Sequence, residues 1–148
     1  MEKMRVMVIG LPGEMATLFA NHIEKTEDMK LVPFTLAEEP GMVRIGDVEV
    51  WEIAPVWHES RLKEIAPDII VDFTPSLESV KQNVKLYCRC GIPFLIRNLV
   101  ADMELVSQTV KTSNVSAVVT RAGTLEVVLK AIRFLVDRKG EKGAVFYM

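Results

Sequence analysis

Short, nearly continuous apolar runs alternate along this chain with longer stretches whose apolar positions recur every three or four residues. Arg5–Ile9 predicts a strand, and Glu14–Lys25 predicts a helix with Met15, Leu18, Phe19, His22 and Ile23 on its apolar phase. Lys30–Leu36 predicts a second strand. In the irregular section Ala37–Pro55, Met42–Ile45 and Val48–Trp51 flank Gly46-Asp47 and predict a small hairpin. Glu59–Ala66 predicts a short helix stopped by Pro67, Asp68–Phe73 an apolar strand bounded by prolines, and Pro75 or Ser76 the start of a helix through Cys88. Strand Ile92–Ile96, helix Asp102–Thr112, strand Ser116–Thr120 and helix Leu125–Arg138 follow, and Ala144–Tyr147 adds a last strand.

Apolar strands alternating with helices imply parallel pairing through right-handed crossovers, hence an α/β fold with a doubly wound parallel sheet. Ligands of such sheets lie at the carboxyl ends of the strands. That edge comprises Gly10–Met15, Thr35–Glu38, Phe73–Ser76, Arg97–Val100 and Thr120–Gly123. The length of 148 residues predicts a single domain over 1–148. A domain of this size buries about two-thirds of the surface of its unfolded chain. Residues 1–123 form its main α/β unit, and 124–148 a helix and short strand packing back on it.

The apolar fraction of 49% and mean hydropathy of +0.21 suit a sheet covered on both faces and point to self-association. Net charge is −2, and no run of Lys and Arg follows a phosphate backbone, so nucleic acid is excluded as a partner. The longest apolar runs, Ile92–Ile96 and Val115–Val119, are strand-sized and far short of the roughly 20 residues that span a bilayer. The first strand begins without a secretory leader, so a cytoplasmic location is expected.

Candidate chemistry concentrates at the first strand end. Gly10 permits a tight turn, Gly13 lets backbone approach a pyrophosphate, and the N–H groups of the following helix attract anions. The turn reads G-x-x-G-x-x-A, looser than the full dinucleotide fingerprint, and glycines also stand in such turns simply to allow positive φ. Glu14 places like charge where phosphate would approach. At the second strand end Thr35 is a weak donor or acceptor for a ribose, with Glu38 and Glu39 beyond it. Cys88 and Cys90 are too closely spaced for an ordinary disulfide and lack a second ligand pair for zinc, so they are read as reduced thiols, with no metal site. His22 and His58 are expected to pack or cap, Trp51 and Trp57 to fill the core or pack loops, and Asp72 to end its strand.

Three segments carry a family resemblance: Val8-Ile-Gly10-Leu11-Pro12-Gly13-Glu14-Met15, Asp68-Ile-Ile-Val-Asp72-Phe73-Thr74-Pro75, and Asn83-Val-Lys-Leu-Tyr87-Cys-Arg-Cys-Gly91-Ile-Pro93-Phe94. Together they resemble the nucleotide-binding, Rossmann-like domain of 4-hydroxy-tetrahydrodipicolinate (dihydrodipicolinate) reductase. The plant version is nearest, through Leu31-Val-Pro33 and Tyr87-Cys-x-x-Gly91-x-Pro93-Phe94. The resemblance runs from Met4 to about Thr120 and resumes in Leu125–Met148, which is similar to the family's C-terminal helix and strand. It implies NAD or NADP as cofactor, held by Gly10, Leu11, Pro12, Gly13, Glu14, Met15, Thr35, Phe73, Thr74, Pro75 and Arg97.

The resemblance also implies what this chain lacks. The family's substrate domain, with its His-His pair, Lys and Ser-Gly-Thr segment, has no counterpart here, and no residue is assigned as catalytic. Where the family has Gly-Thr-Thr-Gly against the nicotinamide, this chain reads Arg97-Asn98-Leu99-Val100. Arg97 is available to bind a phosphate or carboxylate, or else fills the cofactor groove. Reductase activity by this chain alone is therefore not expected, because hydride transfer needs both reactants oriented together. The alternatives are an interaction or homo-oligomerisation module using Leu99, Val100, Met103, Trp51 and Trp57, and an oxidoreductase of the lysine-biosynthesis type that depends on a partner. If the cofactor site is kept, Gly13→Asp is expected to abolish dinucleotide binding without unfolding.

Overall fold

The computed structural model describes residues 2–97, 103–121, 124–138 and 141–148. The chain divides into two compact units, Met1–Phe73 and Thr74–Met148.

In the first unit, strand β1 (Met4–Ile9) pairs in parallel with β2 (Met29–Leu31) on one side and β6 (Ile69–Asp72) on the other. Helix α1 (Glu14–Glu24) connects β1 to β2. Its buried stripe is Ala16, Phe19, Ala20 and Ile23, whereas Leu18 is 53% exposed. The stripe is rotated from the expected phase because alanines at 16 and 20 let the helix backbone approach the sheet. Phe19 then packs its ring 5.6 Å from that of Phe73.

The expected single strand Lys30–Leu36 is two. β2 ends at Leu31, and β3 (Phe34–Leu36) belongs to a separate three-stranded sheet, in which it pairs with β5 (Val48–Ile53), itself paired with β4 (Gly41–Ile45). Pro33 stands at the break, where it has no N–H to donate to a ladder. Strands β4 (Gly41–Ile45) and β5 (Val48–Ile53) form the expected hairpin, with Ile45 opposite Val48 across Gly46-Asp47.

Thr35 ties the small sheet to the large one. It is fully buried, and its Oγ1 donates 2.6 Å to the carbonyl of Val8. His58 opens helix α2 (His58–Ile65) and places Nε2 2.7 Å from the Ile53 carbonyl and 3.1 Å from that of Ala37. Two carbonyls around one ring nitrogen identify Nε2 as the protonated position. His58 is thus a packing residue whose ring bonds the carbonyls at the ends of β3 and β5, while helix α2 itself carries no side-chain cap.

In the second unit, β7 (Phe94–Arg97), β8 (Ala117–Thr120) and β9 (Val145–Tyr147) pair in parallel, β8 in the middle. Helix α3 (Leu77–Cys90) opens on Ser76, whose side chain accepts from the Ser79 N–H at 3.4 Å. It buries Tyr87, stacked at a tilt 5.3 Å from Phe94. Helix α4 (Met103–Lys111) connects β7 to β8, and α5 (Leu125–Asp137), capped by Thr124, connects β8 to β9. The C-terminal helix and strand accordingly return to β8. β7 begins two residues later than expected, after Pro93.

Thr35→Val should remove the buried tie to Val8 and lower the free energy of unfolding by about 1 kcal/mol, with Thr35→Ser retaining most of it. Urea denaturation at unchanged m-value measures this, and equal midpoints for Thr35→Val and wild type would contradict it.

Candidate functional site

The carboxyl ends of β1 and β6 meet. Ile9 is in register with Asp72, and the next residue pair is held by the Phe73 N–H donating 2.9 Å to the Ile9 carbonyl. Gly10 therefore lies against Phe73. It has φ +109°, and a Cβ there would come 3.1 Å from Phe73 Cβ and 3.2 Å from its carbonyl carbon. The backbone conformation strains any side chain, and the space for a Cβ is tight.

From Gly10 the chain turns tightly. The Gly13 N–H donates 2.8 Å to the Gly10 carbonyl, so a Cβ on Gly13 would sit 2.7 Å from that oxygen. Leu11 is buried, while Pro12, joined to it by a cis bond, and Gly13 and Glu14 are exposed. Helix α1 opens at Gly13 without a side-chain cap, and Met15 in its first turn is half-buried. Uncapped N–H groups at an exposed helix start, reached over bare glycine backbone, suit an anion. Glu14 is the acidic residue of that turn: it steadies the helix dipole and opposes an incoming phosphate.

Of the expected site residues, the first unit gathers Gly10, Leu11, Pro12, Gly13, Glu14 and Met15 in this turn, with Phe73 behind it. Thr35 lies inside, its hydroxyl proton committed to Val8. Thr74, half-buried, and Pro75, exposed, begin the second unit ahead of the cap of α3. Arg97 is half-buried at the end of β7, in register with Thr120 of β8. The candidate surface residues Leu99 and Val100 lie outside the described residues; Met103 is half-buried.

The tryptophans are not core residues. Trp51 is 50% and Trp57 60% exposed. Trp51 pairs across the hairpin with Met42, itself 40% exposed, because alternation along β5 turns Val50 inward and Trp51 outward. Period-two alternation was the available signal. Cys88 is a packing thiol: burial pushes its pKa up, a hydrogen bond with Ser113 offsetting part of the rise, so it is protonated at neutral pH. Among the described residues no group of three His, Cys, Asp or Glu side chains is placed to hold a metal ion, and no helix is long and apolar enough to cross a membrane.

The sequence pattern described as "Dihydrodipicolinate reductase, N-terminus" matches residues 4–98. The chain belongs to that family. A relative from Oryza sativa subsp. japonica, "Probable 4-hydroxy-tetrahydrodipicolinate reductase 1, chloroplastic", is 37% identical over 99 residues, covering 62% of this chain and 29% of its own length. The chain thus spans under a third of that relative. Among solved structures, dipicolinate-bound dihydrodipicolinate reductase from Paenisporosarcina sp. TG-14 superposes with a TM-score of 0.64 at 22% identity, over 86% of this chain and 50% of that one. The WlbA (WbpB) dehydrogenase from Thermus thermophilus, solved with NAD and UDP-GlcNAcA, gives 0.52 at 17% identity, over 79% and 41%. These likenesses establish the Rossmann-like α/β fold expected from the alternation of strands and helices.

Gly13→Asp is a less clean probe than its exposure suggests, because the contact its Cβ would make is with backbone. The sharper structural expectation concerns Gly10. Gly10→Ala should destabilise the fold by about 2–3 kcal/mol through strain at positive φ and crowding on Phe73. Thermal and chemical unfolding measure it, and a loss below about 0.5 kcal/mol would contradict the close approach.

Proposed function

We propose that this chain is an NAD(P)-binding, dihydrodipicolinate-reductase-like domain that does not carry out the reductase reaction by itself. The observation that carries the reading is the Gly10–Gly13 turn. Its two glycines leave bare backbone in front of an uncapped, exposed helix start, which is the arrangement a pyrophosphate requires. Membership of the family supports the same ligand. The absence of catalytic function rests on the sequence: neither His22 nor His58 lies in this turn, and Arg97 stands where the resemblance places bare backbone against a nicotinamide.

Calorimetric titration with NADH and NADPH should give micromolar binding. Glu14→Gln should tighten it about two- to fivefold by removing like charge from the phosphate approach. A folded protein that binds neither nucleotide, or a Glu14→Gln variant that binds more weakly, would count against the reading.

A second reading, self-association, is favoured by the exposed Met42–Trp51 pair. β4 is an edge strand of the small sheet, and Val56 and Trp57 follow β5 at 81% and 60% exposure. Sedimentation velocity over a hundredfold concentration range should then show a rising mass that Trp51→Glu abolishes. A strict monomer would end this reading and leave the first intact.

A further inference from the structure

Among the described residues of the second unit, two buried side-chain polar atoms have no hydrogen-bond partner: Nε of Arg97 and Oγ1 of Thr120. Arg97 is the last residue of β7 and Thr120 the last of β8, and the two are register partners. In a parallel ladder, register partners carry their side chains to the same face. Both groups therefore belong to one face at the carboxyl edge of the pair, where open α/β sheets bind ligands. Thr120 is fully buried and Arg97 half-buried.

The chemistry of the two groups fixes that of the missing partner. A guanidinium stays charged at any working pH and only donates. Leaving its Nε–H unmet in a buried position is costly, and more so than for a neutral donor. None of the ion pairs formed among the described residues involves Arg97. The Thr120 hydroxyl, its register neighbour, does not satisfy it either and is itself unpartnered, able to donate or accept. An anionic oxygen acceptor suits the guanidinium and can take the hydroxyl's proton as well.

We propose that Arg97 and Thr120 form a subsite for the carboxylate of a small organic acid. Nε–H and one Nη–H of Arg97 donate side by side to the two carboxylate oxygens, and the Thr120 hydroxyl donates to one of them. A single fork and a single hydroxyl match two coplanar oxygens sharing one charge. A phosphate's third oxygen and second charge have no counterpart in this pair. The subsite uses residues of the second unit alone, so its failure and that of the dinucleotide reading are separately visible.

The test follows the Arg97 Nε–H resonance of the whole folded chain by nitrogen-15 NMR, assigned through its loss in Arg97→Lys. Acetate, inorganic phosphate and chloride are titrated at constant ionic strength. Acetate should shift the resonance saturably, Thr120→Val should weaken that response about tenfold, and Thr120→Ser should restore it. Arg97→Lys keeps the charge without the fork, and the acetate response at the Thr120 amide should largely vanish in it. No saturable response to acetate overturns the proposal. So does a response matched by chloride, one seen with phosphate only, or one undiminished in Arg97→Lys.

Discussion

The close approach of Gly10 to Phe73 is the constraint on which the first unit depends. Parallel pairing of β1 with β6 brings both strand ends to one level, and the Phe73 N–H reaches the Ile9 carbonyl there. With the ladder running to its last residue, the chain leaving β1 has little room for a side chain and leaves through positive φ. Everything after it inherits that exit. The Gly13 N–H closes the turn on the Gly10 carbonyl, α1 starts uncapped, and the helix lies with alanines 16 and 20 inward and Phe19 against Phe73. The feature that packs the unit is therefore the same one that leaves backbone N–H groups facing outward. Packing of the unit and exposure of the helix start thus have a common cause in the exit from β1.

Two polar links join the apolar packing of the small sheet. Thr35 ties β3 to β1, and His58 gathers the carbonyls that end β3 and β5. Beside these buried or half-buried bonds, Leu36, Ile45, Val50 and Ile53 are buried, and the outer face of the hairpin is left exposed. Trp51 and Met42 occupy that face. Their exposure is a consequence of alternation: Ile45 and Val50 supply the inward positions, and the large side chains fall on the other phase.

Much of this was legible in the chain itself. Among the described residues the nine strands fall on, or within two residues of, segments marked by apolar runs and their proline or glycine boundaries, and the Gly46-Asp47 hairpin and Ser76 cap follow from local turn and capping chemistry. What failed was information held in three dimensions. Pro33 could be absorbed in a run of apolar residues until the two halves of Lys30–Leu36 were seen to join different sheets. Leu18 and Met15 fit a helical stripe as well as Ala16 and Ala20 do, and only the need for close approach to the sheet chooses between them. For the site, Gly10 and Gly13 announced themselves by residue type. Thr120 did not, because a threonine ending a strand is ordinary until its hydroxyl is found buried and unmet beside an arginine.

Arg97 then separates binding from chemistry. A glycine turn that receives a pyrophosphate demands only bare backbone and a helix start, both of which are general to nucleotide folds. Hydride transfer demands a nicotinamide and an acceptor held within about 3–3.5 Å at a defined angle. The resemblance puts side-chain-free backbone at the strand end where that ring lies, and this chain has a guanidinium whose Nε–H lacks an acceptor. A permanent positive charge there favours an anion over a ring that becomes cationic when oxidised, since like charge in a buried setting is screened poorly. The two halves of the family's ligand therefore meet different chemistry in this sequence. The glycine turn offers bare backbone and a helix start, whereas the position that the resemblance assigns to the redox ring carries a guanidinium suited to the proposed carboxylate.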